Sequence, residues 1–358
     1  MSKNFKVGIV GCGGIANGKH LPALAKLKNV DLVAFCDIVQ ERAEEAAKKY
    51  GTEHATILTD YHKLMALDLD VVHVLTPNRS HCEISIAAME TGKHVMCEKP
   101  MAKTAADAKA MLDCAKKTGK TLSIGYQNRF RDDSQYLKKT IDDGQLGEIY
   151  YARAHAIRRR AVPTWGVFLN EEEQGGGPLI DIGTHALDLT LWEMNNYEPE
   201  MVVGKAYRKL AGRENAANAW GPWDPKKFTV EDSAFGFITM KNGATIVLES
   251  SWALNTLDVG EAMTSLSGTE GGADMHDGLR INGEKFGQTY EFKPDLGAGG
   301  VAFYDGETVK PEDIEAIQFY EALEKGTQPL VKPEQAYVVT QILEAIYTSS
   351  QTGKPVFF

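Results

Sequence analysis

The sequence predicts an α/β protein: a doubly wound parallel sheet followed by an α+β domain with a largely antiparallel open sheet. Three observations carry this. Over the first 125 residues, short Val/Ile/Leu-rich runs alternate with longer amphipathic stretches, the signature of strand–helix–strand units. Beyond that point the pattern changes to alternating polar and apolar residues punctuated by Asn-Gly and Asp-Gly pairs, which belong to hairpins. All five cysteines lie before residue 115 and all five tryptophans after residue 160, as two separate cores would require. At roughly 100–200 residues per domain, a chain of 358 residues holds two, placed at 1–125 and 126–358.

The apolar runs 6–10, 32–36, 71–75, 94–97 and 121–124 are too short for helices and apolar throughout, as strands buried on both faces are. Between them, 15–27, 40–50, 83–91 and 105–117 read as helices, the last opened by a Thr104-Ala105-Ala106-Asp107 capping box and closed at Gly119. In the second part, 148–157 alternates like a strand. Runs 228–240 and 244–252 flank Lys241-Asn242-Gly243, a hairpin signal because both central residues tolerate positive φ. Asp277-Gly278 and Asn282-Gly283 predict further turns, 184–194 an amphipathic helix, and 311–325 and 333–350 two closing helices.

Composition excludes several classes. With 39 basic and 49 acidic residues the formal charge is −10, the wrong sign for broad nucleic-acid binding. No apolar run approaches a membrane span, and the first residues lead straight into strand 6–10 without a leader, so a cytoplasmic protein is expected. The cysteines show no CxxC and no zinc spacing; buried, reduced and structural thiols are expected, and no metal site.

The first strand runs into Gly11-Cys12-Gly13-Gly14-Ile15-Ala16, a G-x-G-x-x-A. Gly11 permits the tight turn, Gly13 lets backbone approach a pyrophosphate, and the small Ala16 lets helix and strand pack closely; Gly14 and Ile15 complete the loop. Asp37 ends the second strand 21 residues beyond Ala16, near the spacing of about 20 for the acid that binds the adenosine ribose. A carboxylate there accepts from the 2′-hydroxyl and repels a 2′-phosphate, so NAD is expected over NADP; Ile38 beside it is not basic.

Thr76-Pro77-Asn78-Arg79-Ser80-His81 follows the third strand and Glu98-Lys99-Pro100 the fourth, at the carboxyl ends where ligands of such sheets gather. Lys99, at a buried strand end, needs a partner or a function, or is a solvated loop lysine. Farther on, a glycine run leads to Asp181 and, four residues later, His185, which share one helical face if the helix starts early. A histidine held by an aspartate is a general base near neutral pH; the plainer alternative is a helix cap and a surface histidine. In 158–166, Trp165 beside Arg158, Arg159 and Arg160 can stack on a sugar ring or nicotinamide, or the arginines pair with acidic surface.

In this combination and order, the G-x-G-x-x-A turn, Asp37, Thr76 and Asn78 with His81, Glu98-Lys99-Pro100, Gln127 and Asp181-x-x-x-His185 resemble the Gfo/Idh/MocA oxidoreductases, the family of glucose–fructose oxidoreductase and inositol 2-dehydrogenase. The resemblance spans the whole chain. It implies a Rossmann domain and a C-terminal domain whose open sheet forms a homodimer or homotetramer interface, with NAD as cofactor. It also implies Lys99, His185 and Asp181 as the catalytic set, with Asp181 helping to bind the substrate. Thr76, Asn78, His81, Glu98, Lys99 and Gln127 would join the glycine turn and Asp37 around the cofactor, and Arg158 and Trp165 would line the substrate side. The reaction expected is oxidation of a secondary alcohol of a sugar, sugar derivative or cyclitol. An NAD-recycling glycosidase or lyase and a non-catalytic dinucleotide-binding regulator are the alternatives.

Overall fold

Strand β1 (Phe5–Val10) is buried at every position except Lys6, and this shields it on both faces at the centre of a parallel sheet. The structure, a computed structural model, describes residues 4–296 and 309–358 and divides into two units. The first comprises Met1–Gln127 and Val309–Tyr337, the second Asn128–Thr308 and Val338–Phe358.

In the first unit β1 is joined by β2 (Val30–Cys36), β3 (Thr56–Leu58), β4 (Val71–Val74), β5 (His94–Cys97) and β6 (Leu122–Ile124). The order β3-β2-β1-β4-β5-β6, parallel throughout, is the doubly wound arrangement, with its chain reversal between β1 and β4. Thr104 Oγ1 accepts the Asp107 N–H at 3.1 Å to open helix Ala105–Thr118, and Gly119 ends it at φ 66°, as its capping residues predict. The helix expected over 15–27 is interrupted: it has a widened turn at Ala16–His20 before Leu21–Leu24. Pro22 has no N–H to return to Gly18 and its ring crowds that carbonyl, which favours the wider turn. Strand β3 was not expected; it is a short, mostly exposed edge. Helix Pro311–Lys325 packs on Leu21–Leu24, and its Phe319 and Tyr320 join Phe5, Ile9 and Leu24 in the core. Four cysteines are buried as expected, whereas Cys82 is partly exposed; all five are unpaired.

The second unit is built on β7 (Ile149–Ile157), β8 (Pro199–Tyr207), β9 (Ser233–Met240), β10 (Thr245–Ser251), β11 (Gly260–Gly268), β12 (Gly271–Asp274), β13 (Arg280–Lys285), β14 (Gln288–Phe292) and β15 (Val356–Phe357). Their order is β14-β13-β12-β11-β7-β10-β9-β8-β15, antiparallel except for the β7–β10 pair. Helix Thr184–Met194 covers β7 and β11 on one face. The β9–β10 hairpin forms where Asn242-Gly243 predicts it, but only Gly243 has positive φ (89°). Its N–H closes a tight turn to Met240 O at 2.8 Å, the three-residue form of the hairpin. Asp277-Gly278 is a turn with Gly278 at φ 73°. Asn282-Gly283 is not. Both residues lie inside β13, and the chain reverses at Phe286-Gly287, where φ is 55° and 73°. Gly283 lies instead under the ring of its cross-strand neighbour Tyr290, whose hydroxyl is 2.8 Å from where a Cβ would stand.

Candidate active site

In the first unit the glycine turn follows β1 directly. Gly11 has φ 94°, and a Cβ on it would lie 2.5 Å from Leu75 O, so no side chain fits. A Cβ on Gly13 or Gly14 would meet nothing within 4 Å, so bare backbone faces open space there. Ala16 is fully buried where helix and strand meet, and Ile15 is exposed. Asp37 caps β2: its Oδ2 accepts the Cys12 N–H at 2.8 Å and its Oδ1 the Val39 N–H at 2.9 Å. These bonds brace the carboxylate against the glycine turn. Ile38 is 86% exposed, leaving no basic group directly after Asp37.

Two loops at the same sheet end are tied by one histidine. His81 is fully buried, and its ring nitrogens lie 2.8 Å from Pro100 O and 2.9 Å from Thr76 O. Asn78 opens the short turn Asn78–Ser80, and Ser80 Oγ donates to Thr76 Oγ1 at 2.8 Å. Lys99 is half-buried and precedes a cis peptide to Pro100. Glu98 is buried; its Oε2 accepts the Lys99 backbone N–H at 3.0 Å, and its Oε1 lies 2.7 Å from His20 Nε2. Burial alone would raise the Glu98 carboxyl, but Lys19 and His20 hold it well below the usual carboxylate range.

In the second unit Asp181 lies in the widened turn Leu179–Gly183, and His185 is the second residue of helix Thr184–Met194 that continues it. The widened turn is anchored at its start by buried Glu231, whose carboxyl group accepts the N–H groups of Gly177 (2.9 Å) and Leu179 (3.1 Å). The Trp252 indole N–H donates to Asp181 Oδ2 at 3.0 Å. Arg158 makes a forked pair with Glu261, at 2.5 and 2.7 Å, and its Nη1 stands 3.9 Å from Asp181 Oδ2. Its guanidinium also lies 5.4 Å from the Trp220 ring, which meets Trp165 edge-on at 4.9 Å. Trp165 and Trp220 are about half exposed, at 51% and 45%.

The model of the oxidoreductase family with NAD-binding Rossmann fold, Gfo/Idh/MocA, matches residues 5–126, and that of the Gfo/Idh/MocA C-terminal domain matches residues 134–274. The chain belongs to the Gfo/Idh/MocA oxidoreductases. It is 36% identical to D-glucoside 3-dehydrogenase of Escherichia coli K12, over 99% of this chain and 98% of that one. It is 34% identical to inositol 2-dehydrogenase of Salmonella typhimurium LT2, over 53% of this chain and 55% of the relative. Among solved structures, aldose-aldose oxidoreductase from Caulobacter crescentus, complexed with glycerol, superposes with a TM-score of 0.80 at 25% identity, covering 99% of this chain and 100% of that one.

The family's Rossmann domain binds NAD, and the first unit fits it. Gly13 and Gly14 present bare backbone that a pyrophosphate would approach, and the braced Asp37 carboxylate at the end of β2 would accept from a ribose hydroxyl. Some residues that brace these positions in each unit carry no sequence signal. Trp252 closes the strand-like run 244–252 like any core tryptophan, and Lys19 reads as one more helix lysine until its acceptors are seen.

Proposed function

We propose that the protein oxidises a secondary hydroxyl of a sugar, a glycoside or a cyclitol with NAD. The observation that carries this reading is the braced Asp181 carboxylate beside a guanidinium and two half-exposed indoles, groups suited to hydroxyls and to the apolar faces of a sugar ring. The likeness to D-glucoside 3-dehydrogenase over nearly the whole length supports it.

NAD, when bound, supplies the acceptor for the hydride that leaves the carbinol carbon. His185 takes the hydroxyl proton as general base. The Lys99 ammonium stabilises the negative charge that develops on the same oxygen, and Glu98 fixes the backbone that carries it. Asp181 accepts from a neighbouring substrate hydroxyl while the Trp252 indole holds its carboxylate in place, and Arg158 and Trp165 hold the ring. Thr76, Asn78, His81 and Gln127 shape the nicotinamide side of the cofactor site.

Five unpaired thiols support a reducing compartment, the cytoplasm. No described helix is long and apolar enough to cross a membrane. We also place a homodimer or homotetramer contact on the open sheet face, where Val203 and Phe237 stand 42% and 46% exposed on neighbouring strands. The functional test is a panel of glucosides, free sugars and inositols with NAD, followed at the NADH absorbance. Turnover of a member with net NADH formation is expected; inertness towards all of them would overturn the reading.

A further inference from the structure

Behind Lys99 the first unit holds a cluster of buried charge that hydride transfer does not itself require. Lys19, on the widened turn Ala16–His20, is 8% exposed. Its Nζ meets Glu98 Oε1 at 2.9 Å, Gln127 Oε1 at 3.2 Å and Glu315 Oε2 at 3.1 Å. An ammonium has three N–H donors and no acceptor, and here each donor has its own oxygen. Such a cation is tolerated out of water only when paired and fully hydrogen-bonded. The acceptors come from three distant stretches: the turn after β5, the segment after β6, and helix Pro311–Lys325.

We infer that Lys19 is a positioning residue for the reaction, fixing the turn that carries Lys99 and the side chain of Gln127 and tying both to helix Pro311–Lys325 through Glu315. The chain of contacts is direct. Lys19 holds Glu98 Oε1, and the other oxygen of the same carboxylate holds the Lys99 backbone N–H. The inference rests on the reading of Lys99 as catalytic.

The charges explain why helix Pro311–Lys325 takes part. Burial alone would lower the Lys19 ammonium, but Glu315 and Glu98 overcome it and raise it above its ordinary value. Burial pushes Glu315 up to about 7 against the pull of Lys19, and its Oε1 has no hydrogen-bond partner among the described residues. The groups that face Glu315 are Lys19 and His20 from the first helical segment, His73 from β4, Glu98, and Glu312 from its own helix. With Glu315 neutral, Lys19 and Glu98 balance one to one. With Glu315 ionised, two carboxylates share one ammonium and Lys19 is drawn towards the helix. The state of Glu315 therefore sets how firmly Lys19 holds Glu98.

The test compares kcat at saturating NAD and substrate for wild type, Lys19→Met, Lys99→Met, the double variant and Glu315→Gln. Lys19→Met should lower kcat at least about tenfold with substrate KM within about threefold, and cost less than about twofold in the Lys99→Met background, where no lysine remains to be positioned. The wild-type to Glu315→Gln ratio of kcat should change across pH 6–9, since Gln fixes the neutral form and ionisations remote from this cluster cancel in the ratio. A Lys19→Met loss that repeats in full in the Lys99→Met background, or a ratio flat with pH, overturns the inference. If Lys99→Met itself turns over normally, it is the catalytic reading of Lys99 that fails. Should Lys19→Met not fold, the near-isosteric Glu315→Gln arm decides.

Discussion

Trp252 gives its indole N–H to Asp181 Oδ2 at 3.0 Å from a fully buried position at the end of β10. An indole only donates, so this bond holds Asp181 as an acceptor. Phenylalanine at 252 would keep the aromatic packing on Phe168 and Phe228, at 6.5 and 6.2 Å, and remove the donor. Trp252→Phe should lower kcat/KM about tenfold, the worth of one hydrogen bond to a charged group. Steady-state kinetics beside a melting curve checks this. An unchanged kcat/KM would take Trp252 out of substrate orientation.

The same helical run places His185 one turn beyond Asp181. If His185 is the general base, His185→Ala lowers kcat by roughly 10²–10⁴. NAD affinity, read by fluorescence titration, should barely move, because the residue belongs to the second unit and not to the Rossmann fold. Near-native kcat would exclude His185 as the base.

Asp37 is braced by two backbone N–H groups, so its carboxylate cannot swing away from a 2′-phosphate at little cost. NAD should be used at least about tenfold more efficiently than NADP, roughly 1.4 kcal/mol of discrimination. Asp37→Ser should narrow that ratio by accepting NADP better, at some loss with NAD. Equal efficiencies in the wild type would remove Asp37 as the selector.

Where a residue type states a backbone requirement, the sequence is legible. Gly11 must have positive φ beside Leu75, Gly119 must end a helix, and short β-branched runs must be buried strands; each stands where its chemistry predicts. Reading fails where a residue serves a distant partner. Gly283 looks like a turn glycine, but it lies inside β13, paired with Tyr290 across the ladder. Thr56–Leu58 is a three-residue, mostly exposed edge, too short for its Ile-Leu pair to announce a strand. Helix Pro311–Lys325 announces itself as a helix, yet nothing in its sequence says that Phe319 and Tyr320 pack with Phe5. Lys19 and Trp252 are of the same kind: their meaning lies in acceptors that only the folded chain brings near.

Glu193 offers the clearest stability prediction. It sits near the end of helix Thr184–Met194, fully buried, with neither carboxylate oxygen hydrogen-bonded among the described residues. Burial pushes its carboxyl well above the ordinary 4.5, with Arg131 opposing and Asp133 adding to the rise. Below pH 4.5 the group keeps its proton in both folded and unfolded chains and has no pH-dependent effect. As pH rises beyond that, the unfolded chain releases the proton and the folded chain retains it, so stability falls until the folded pKa is passed. Each pH unit of that window costs about 1.4 kcal/mol, or about 2–4 °C of Tm per kcal/mol in a unit of this size. Glutamine keeps the shape and is neutral at every pH. Glu193→Gln should therefore melt several degrees above wild type at pH 8 and match it at pH 4. Glu315, also raised, is present in both proteins and cancels from the difference. Calorimetry at the two pH values decides: a Tm gap that is the same at both would mean that Glu193 does not hold its proton in the fold.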